Sequence, residues 1–163
     1  MALVVEDGTV VPEAEALCSV EFADAHFDKR GNTAWLDLDE SVKEAALRRA
    51  TDYLEDVYGP RFQGARVSAA QALSWPRKGV TLSTADSVPS RVQRACAELA
   101  AKAVAGELLA DIGRQTLSET VGELSVTYDP AGPRSTQYAA VQAMLAPLLG
   151  HAAGSATVRL TRV

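Results

Sequence analysis

The feature that most constrains the fold is an amphipathic stretch that begins at Leu38, LDESVKEAALRRATDYLEDVYGP. Apolar residues recur there at the spacing of one face of an α-helix. Asp39 or Ser41 can accept hydrogen bonds from the first unpaired N–H groups, and Gly59-Pro60 ends the pattern. The stretch therefore predicts one long helix, whose apolar face is Val42, Ala46, Ala50, Tyr53, Leu54, Val57 and Tyr58.

Three further segments show helical patterns. Pro12, followed by acids and closed by Lys29-Arg30-Gly31-Asn32, predicts a helix over 13–28. An Ala-rich segment predicts a helix from Pro89 to about Ile112, capped by Asp86 or Ser87 and ended by Gly113. Small residues on its apolar face allow another helix to approach closely. The last helix is predicted over 136–149, where Pro147 can kink it.

The β component is minor. Residues 124–128 alternate between apolar and polar, which indicates a strand, and the tail 155–163 alternates in the same way. The predicted fold is therefore mainly α, a small helical bundle with a long ordered loop at 60–87, one or two short strands or a hairpin, and a strand-like C-terminal tail. We expect residues 1–154 to form one helical domain and residues 155–163 to form an interaction tail.

Composition narrows the class of protein. The chain has 163 residues, 47% of them hydrophobic, which suits one domain with a sizeable core. Its net charge of −5 counts against a nucleic-acid footprint over the whole surface but leaves room for a local basic patch. Cys18 and Cys96 are expected to be buried, reduced thiols. The start, MALVVEDGTVV, has no basic region before its apolar residues and is too short to span a membrane, so we expect a cytoplasmic origin.

No constellation for catalysis stands out. His26 and His151 have no Cys or second His at metal-ligand spacing. No glycine-rich phosphate loop and no nucleophile-elbow pattern occurs in the sequence. We expect neither an enzyme nor a metal or cofactor site.

The long loop is the one place where cations and aromatic residues interleave: Phe62, Arg66, Trp75, Pro76, Arg77 and Lys78. Such a stretch can grip single-stranded nucleic acid by stacking bases on its aromatic rings. Alternatively, Phe62 and Trp75 pack on the helices while the cations face water. We favour the second interpretation, in which Trp75 anchors the loop and Arg77 and Lys78 project towards a partner.

The order of several segments resembles a known family. RGNTAW, KEAALRRATDYLEDVYGPRFQG, QALSWPRKGV, VPSRVQRACAELAAKAV, VGELSVTYD and YAAVQAMLAPLL follow one another over about residues 20–150. In this order they resemble small tailed-phage proteins that are labelled DnaT-like single-stranded-DNA-binding proteins. They also resemble the head-to-tail connector, or adaptor, proteins of phages and gene transfer agents. The most specific signals are ALRRATDYLE and the QALSWPRKGV loop.

The connector resemblance implies a structural protein of the virion neck, assembled in the cytoplasm of the bacterial host. It implies a dodecameric ring of this chain beneath the portal protein, bound to a tail, stopper or tail terminator protein, with double-stranded DNA passing through without specific binding. The expected contacts are Phe62, Arg66, Trp75, Pro76, Arg77 and Lys78 in the loop and Val158, Arg159, Leu160 and Arg162 in the tail. The alternative is a single-stranded-DNA-binding protein of phage replication.

Overall fold

The fold is a bundle of helices with two small antiparallel hairpins. The structure is a computed structural model that describes residues 2–109 and 138–150, and the backbone of two strands between them. The helices are α1 (Val20–Asp28), α2 (Thr33–Leu36), α3 (Glu40–Tyr58), α4 (Ser90–Ala105) and α5 (Ala139–Leu145). The strands are β1 (Ala65–Arg66), β2 (Arg77–Lys78), β3 (Ser118–Val121) and β4 (Leu124–Thr127). The predicted mainly α class is confirmed.

Helices α3 and α4 form the centre of the bundle, and α1 and α5 pack against α4. Both helices carry small buried residues: Ala46 and Ala50 on α3, and Ala95, Cys96 and Ala100 on α4. They let the two helix backbones approach closely, as the sequence predicted. Among the helices that the structure describes, none has the length and apolarity to cross a membrane.

One polar side chain sits inside this centre. Thr51 is fully buried; its hydroxyl oxygen accepts the Leu17 N–H at 3.2 Å and lies 3.5 Å from Cys96 Sγ. Both Cys18 and Cys96 are buried and free, as predicted. Burial raises the pKa of the Cys96 thiol to about 12 and raises that of Cys18 further. Because the thiolate is the reactive form, neither thiol is set up as a nucleophile.

The prediction of a helix over 13–28 is wrong in its first half. Helix α1 begins at Val20, after Ser19, whose hydroxyl accepts the Phe22 N–H at 3.2 Å. The residues before α1 form a loop instead, and a β-bridge between Val5 and Ala16 joins its two ends. Within this loop Glu13 has a left-handed φ of 56°. Tertiary contacts override the helical signals there.

A buried carboxylate holds this N-terminal loop. Glu6 is fully buried, and its Oε1 accepts the N–H groups of Gly8 at 2.8 Å and Val10 at 3.0 Å. Its Oε2 accepts the Val11 N–H at 3.0 Å. The loop therefore satisfies its backbone donors with one side chain instead of with a helical turn.

The boundaries of the other elements also shift. Helix α3 begins after Asp39 and ends before Gly59, as predicted, but the side chain of Asp39 makes no capping hydrogen bond. Helix α4 ends at Ala105, earlier than the predicted Ile112, and follows Pro89 without a side-chain cap from Asp86 or Ser87. Helix α5 becomes a 3₁₀ turn at Ala146–Leu148, which contains Pro147.

Of the two predicted β segments, the structure describes the first. Strand β4 is where the sequence placed it, and it pairs with β3 in the register Ser118↔Thr127 to Val121↔Leu124. The predicted start of the last helix at Thr136, the predicted cap Gly113 and the tail 155–163 fall outside the described residues.

Helix α2 was not predicted, although it belongs to the RGNTAW motif. Asn32 Oδ1 accepts the Trp35 N–H at 3.3 Å and starts this short helix. The Trp35 ring packs on Phe27 with a centroid distance of 5.1 Å, and its Nε1 donates to Asp24 Oδ1 at 2.7 Å. Lys43 Nζ lies 3.1 Å from the same oxygen. The motif thus joins α1, α2 and α3.

Substitution of Glu6 by Gln tests the role of its carboxylate. The amide oxygen of Gln can replace one carboxylate oxygen, but the amide NH₂ then faces a backbone donor. We expect Glu6→Gln to lower the free energy of unfolding by about 1–3 kcal/mol in urea denaturation. Glu13→Gln is the matched control, since Glu13 is exposed, and it should change stability by less than about 0.5 kcal/mol. Equal effects of the two substitutions would contradict this role.

Candidate nucleic-acid interface

The long loop is closed by a short hairpin. Strands β1 and β2 pair antiparallel, with Arg66 opposite Arg77. Gly64, with a φ of 70°, precedes β1 and passes close to β2. A Cβ on Gly64 would lie 2.2 Å from the carbonyl oxygen of Lys78, so that position accepts no side chain. The loop has a fixed base from which its aromatic residues enter the core.

The two aromatic rings of the loop are inside the molecule. Trp75 is 0% exposed and Phe62 5% exposed, and their ring centroids lie 5.3 Å apart with an interplanar angle of 67°. Pro76 is buried beside them. The prediction that Trp75 anchors the loop is confirmed. Because the ring faces are covered by protein, this loop offers bases no platform for stacking.

The prediction that Arg77 projects outward is wrong. Its side chain is 8% exposed, and its guanidinium donates to four backbone carbonyls. Nε donates to Gln63 O at 2.8 Å, Nη1 to Ser74 O at 3.2 Å, and Nη2 to Phe62 O at 3.2 Å and Gly64 O at 2.9 Å. Burial, with nearby Arg66, lowers the pKa of Arg77 from its usual value. The sequence pattern could not distinguish this structural arginine from a surface one.

The other two cations predicted as contacts in the loop, Arg66 and Lys78, are exposed. Arg66 nevertheless bends back, and its Nη2 donates to the carbonyls of Gln71 and, at 3.1 Å, of Leu73. Lys78 is exposed, as expected for a residue that projects from the loop, and its contact with a partner stays a prediction. The predicted contacts of the tail, Val158, Arg159, Leu160 and Arg162, lie outside the described residues.

Hydrogen bonds join the loop to two helices. Glu55 of α3 accepts the Ser74 N–H at 2.8 Å and the Ser74 hydroxyl at 2.7 Å. Gln63 donates its N–H to Leu148 O at 2.9 Å and its amide to Leu149 O at 2.9 Å, at the end of α5. These bonds hold the loop at Gln63 and Ser74 against the helical bundle.

A different surface brings cations and an aromatic ring together in the open. A cleft of about 350 Å³ between α1 and α4 is lined by Phe22, Ala25, His26, Lys29, Arg30 and Arg94, and we call it the basic cleft. Lys29, Arg30 and Arg94 are exposed, and Phe22 is half-buried. The sequence pattern assigned Lys29-Arg30 to a helix stop and Arg94 to a solvated face. Their proximity depends on the packing of α1 on α4.

Two hydrogen bonds fix the wall of the basic cleft. His26 Nε2 lies 2.9 Å from Glu98 Oε1, and this contact joins α1 to α4. Arg30 Nη1 donates to the carbonyl of His26 at 2.9 Å. Glu98 is thus engaged with the histidine, and three exposed cations surround the opening. This arrangement suits a ligand with several negative charges, such as a chain of phosphates.

A metal site within the part of the chain that the structure describes would need several His, Cys, Asp or Glu side chains close together. No group of three or more His, Cys, Asp or Glu side chains there could hold a metal ion. The described clefts place no nucleophile beside a general base.

The described residues define a small helical protein with a clamped loop and a basic cleft. A family model described as "Putative DnaT-like ssDNA binding protein" matches residues 1–163, and the chain belongs to that family. Neither the curated proteins nor the solved structures contain a significant match to this chain. The family assignment agrees with the resemblance in the sequence; the connector identity has no match behind it.

Replacement of Arg77 by Met tests whether its guanidinium holds the loop. Met fills a similar volume but leaves the carbonyls without their shared donor. We expect Arg77→Met to lower the free energy of unfolding by about 3 kcal/mol or more. Lys78→Met removes the neighbouring, exposed cation and should cost less than about 0.5 kcal/mol in the same urea titration. A small loss for Arg77→Met would mean that water replaces the guanidinium at little cost.

Proposed function

We propose that this protein is a non-enzymatic single-stranded-DNA-binding protein and that the basic cleft is where it contacts the strand. The observation that supports this most is the family match, which covers the whole chain. The cleft supplies the local basic surface that an acidic protein needs for such a role.

The proposed contact combines charge with stacking. Lys29, Arg30 and Arg94 pair with consecutive phosphates, and the half-buried ring of Phe22 lies within reach of a base. This combination binds single strands with little sequence preference. A cleft with few cations implies weak binding, with a salt dependence of the binding constant that is set by the small number of phosphate contacts. The proposed nucleic-acid surface is therefore the basic cleft between α1 and α4, and not the long loop.

The second candidate is the head-to-tail connector, a ring of this chain between a portal and a tail or stopper protein in the neck of a virion. What supports it is the long loop. Its aromatic residues are buried, its backbone is held to α3 and α5, and it presents Lys78, Val67 and Leu82 to the outside. A rigid, exposed loop suits contact with a neighbouring protein. The net charge of −5 also suits a channel that DNA must pass without adhering.

Titration of a fluorescent oligo(dT) with the protein tests the first candidate. Three phosphate contacts predict that the logarithm of the binding constant falls with the logarithm of salt with a slope of about −2. Arg94→Ala should make that slope shallower by about 0.7. Lys29→Glu should weaken binding roughly tenfold at low salt, because a charge-assisted hydrogen bond is lost.

Lys78→Glu is the matched control, because it makes the same change of charge on the exposed loop. It should leave the affinity within about a factor of two, since screened, distant charges contribute little. A larger loss for Lys78→Glu than for Lys29→Glu would place the strand on the loop. Absence of binding at low salt would contradict the first candidate and favour the connector, for which a ring assembled on a portal is the expected observation.

A further inference from the structure

A second cleft, of about 240 Å³, lies between the C-terminal half of α3 and the residues that follow α4. Asp52, Asp56 and Glu107 line it together with the apolar Leu108 and Leu109, and we call it the acidic cleft. Leu109 is 49% exposed in this cleft. The acidic cleft thus combines an apolar surface with a negative rim.

The charges of this cleft are not balanced by the described residues. Arg49 is the cation that lines it, against three carboxylates. The ion pairs formed within residues 2–109 and 138–150 do not include Asp52, Asp56 or Glu107. Burial, and then the neighbouring carboxylate of Asp56, raise the pKa of Asp52, as expected where like charges share a site. An occupant with cationic and apolar groups would pair with the carboxylates and cover the exposed leucine.

We propose that the acidic cleft is covered by residues 157–163 of the same chain, Thr-Val-Arg-Leu-Thr-Arg-Val, which dock there in an extended conformation. This segment has two arginines and no acids. In an extended chain Val158 and Leu160 project to one side, towards the leucines of the cleft. Arg162 projects to the same side and is long enough to reach the carboxylates at the rim while its stem covers apolar surface, whereas Arg159 projects to the other side of the segment.

The chain can reach the cleft from its last described residue. The N–H of Gly150 donates to Arg61 O at 2.7 Å, just beyond the end of α3. Seven residues, 151–157, span up to about 25 Å when extended. Asp56 and Arg49 are separated by only about 10 Å along the axis of α3. The tether is therefore long enough to place Thr157 at either end of the cleft.

The same tether favours the segment over an external partner. A short flexible linker gives an effective concentration in the millimolar range, higher than that of a second copy in dilute solution. The proposal makes the tail part of the helical domain instead of a separate interaction tail. It does not depend on DNA binding, so its failure and the failure of the proposed function are distinguishable.

Hydrogen–deuterium exchange of the full chain, without DNA, tests the proposal. Amides of residues 158–163 should exchange at least about tenfold more slowly than in an unstructured peptide of the same sequence. Asp52→Asn with Asp56→Asn should abolish most of that protection at low ionic strength, since it removes the attraction for the arginines. Asp37→Asn with Glu40→Gln makes the same change of charge at the other end of α3 and should leave it unchanged.

Dilution identifies the source of the segment. Protection that persists over about a hundredfold dilution supports docking within one chain. Protection that disappears on dilution would overturn the proposal in favour of a second copy. Unprotected tail amides at every concentration, or equal effects of the two double variants, would overturn it outright.

Discussion

The buried guanidinium of Arg77 is the contact on which the rest of the loop depends. Its N–H groups reach the carbonyls on both sides of the β1–β2 hairpin, from Phe62 to Ser74. With these carbonyls satisfied, the chain can carry Trp75 and Phe62 into the core without leaving backbone acceptors unpaired. The loop then lies against α3 through Ser74 and Glu55, and it behaves as part of the domain instead of as an appendage.

The burial of the loop's aromatic rings bears on where the protein could contact nucleic acid. Aromatic residues next to cations in sequence indicate a stacking surface only if their rings face solvent, and Phe62 and Trp75 do not. The basic cleft satisfies that condition with residues from two helices that are distant in sequence, Lys29 and Arg30 on one side and Arg94 on the other. The acidic net charge of the chain is compatible with such a local patch. In the proposed function, the acidic surface around the cleft repels phosphates elsewhere and keeps binding sensitive to salt.

Much of the fold follows from the sequence pattern. The apolar periodicity and the flanking residues place α3 correctly, and the alternation of polarity places β4. The first helix is wrong because the Leu17 N–H donates to the hydroxyl of Thr51 and the Ala16 carbonyl accepts the Glu6 N–H. A helix over 13–28 would use both groups in its own hydrogen bonds, so these tertiary contacts replace its first turns. Trp75 is predicted as an anchor because a large apolar ring favours burial. The burial of Arg77 and the convergence of Lys29, Arg30 and Arg94 depend on tertiary packing, which local patterns do not encode.

The measurement that tests the account most directly is an NMR titration of the isotope-labelled protein with oligo(dT), followed at each backbone amide. The account predicts chemical-shift changes concentrated in α1 from Phe22 to Arg30 and in α4 around Arg94. It also predicts little change in the clamped loop, where Phe62, Trp75 and Arg77 are buried. Changes centred on residues 61–82, with the α1 and α4 amides unaffected, would contradict the account and return the nucleic-acid surface to the loop.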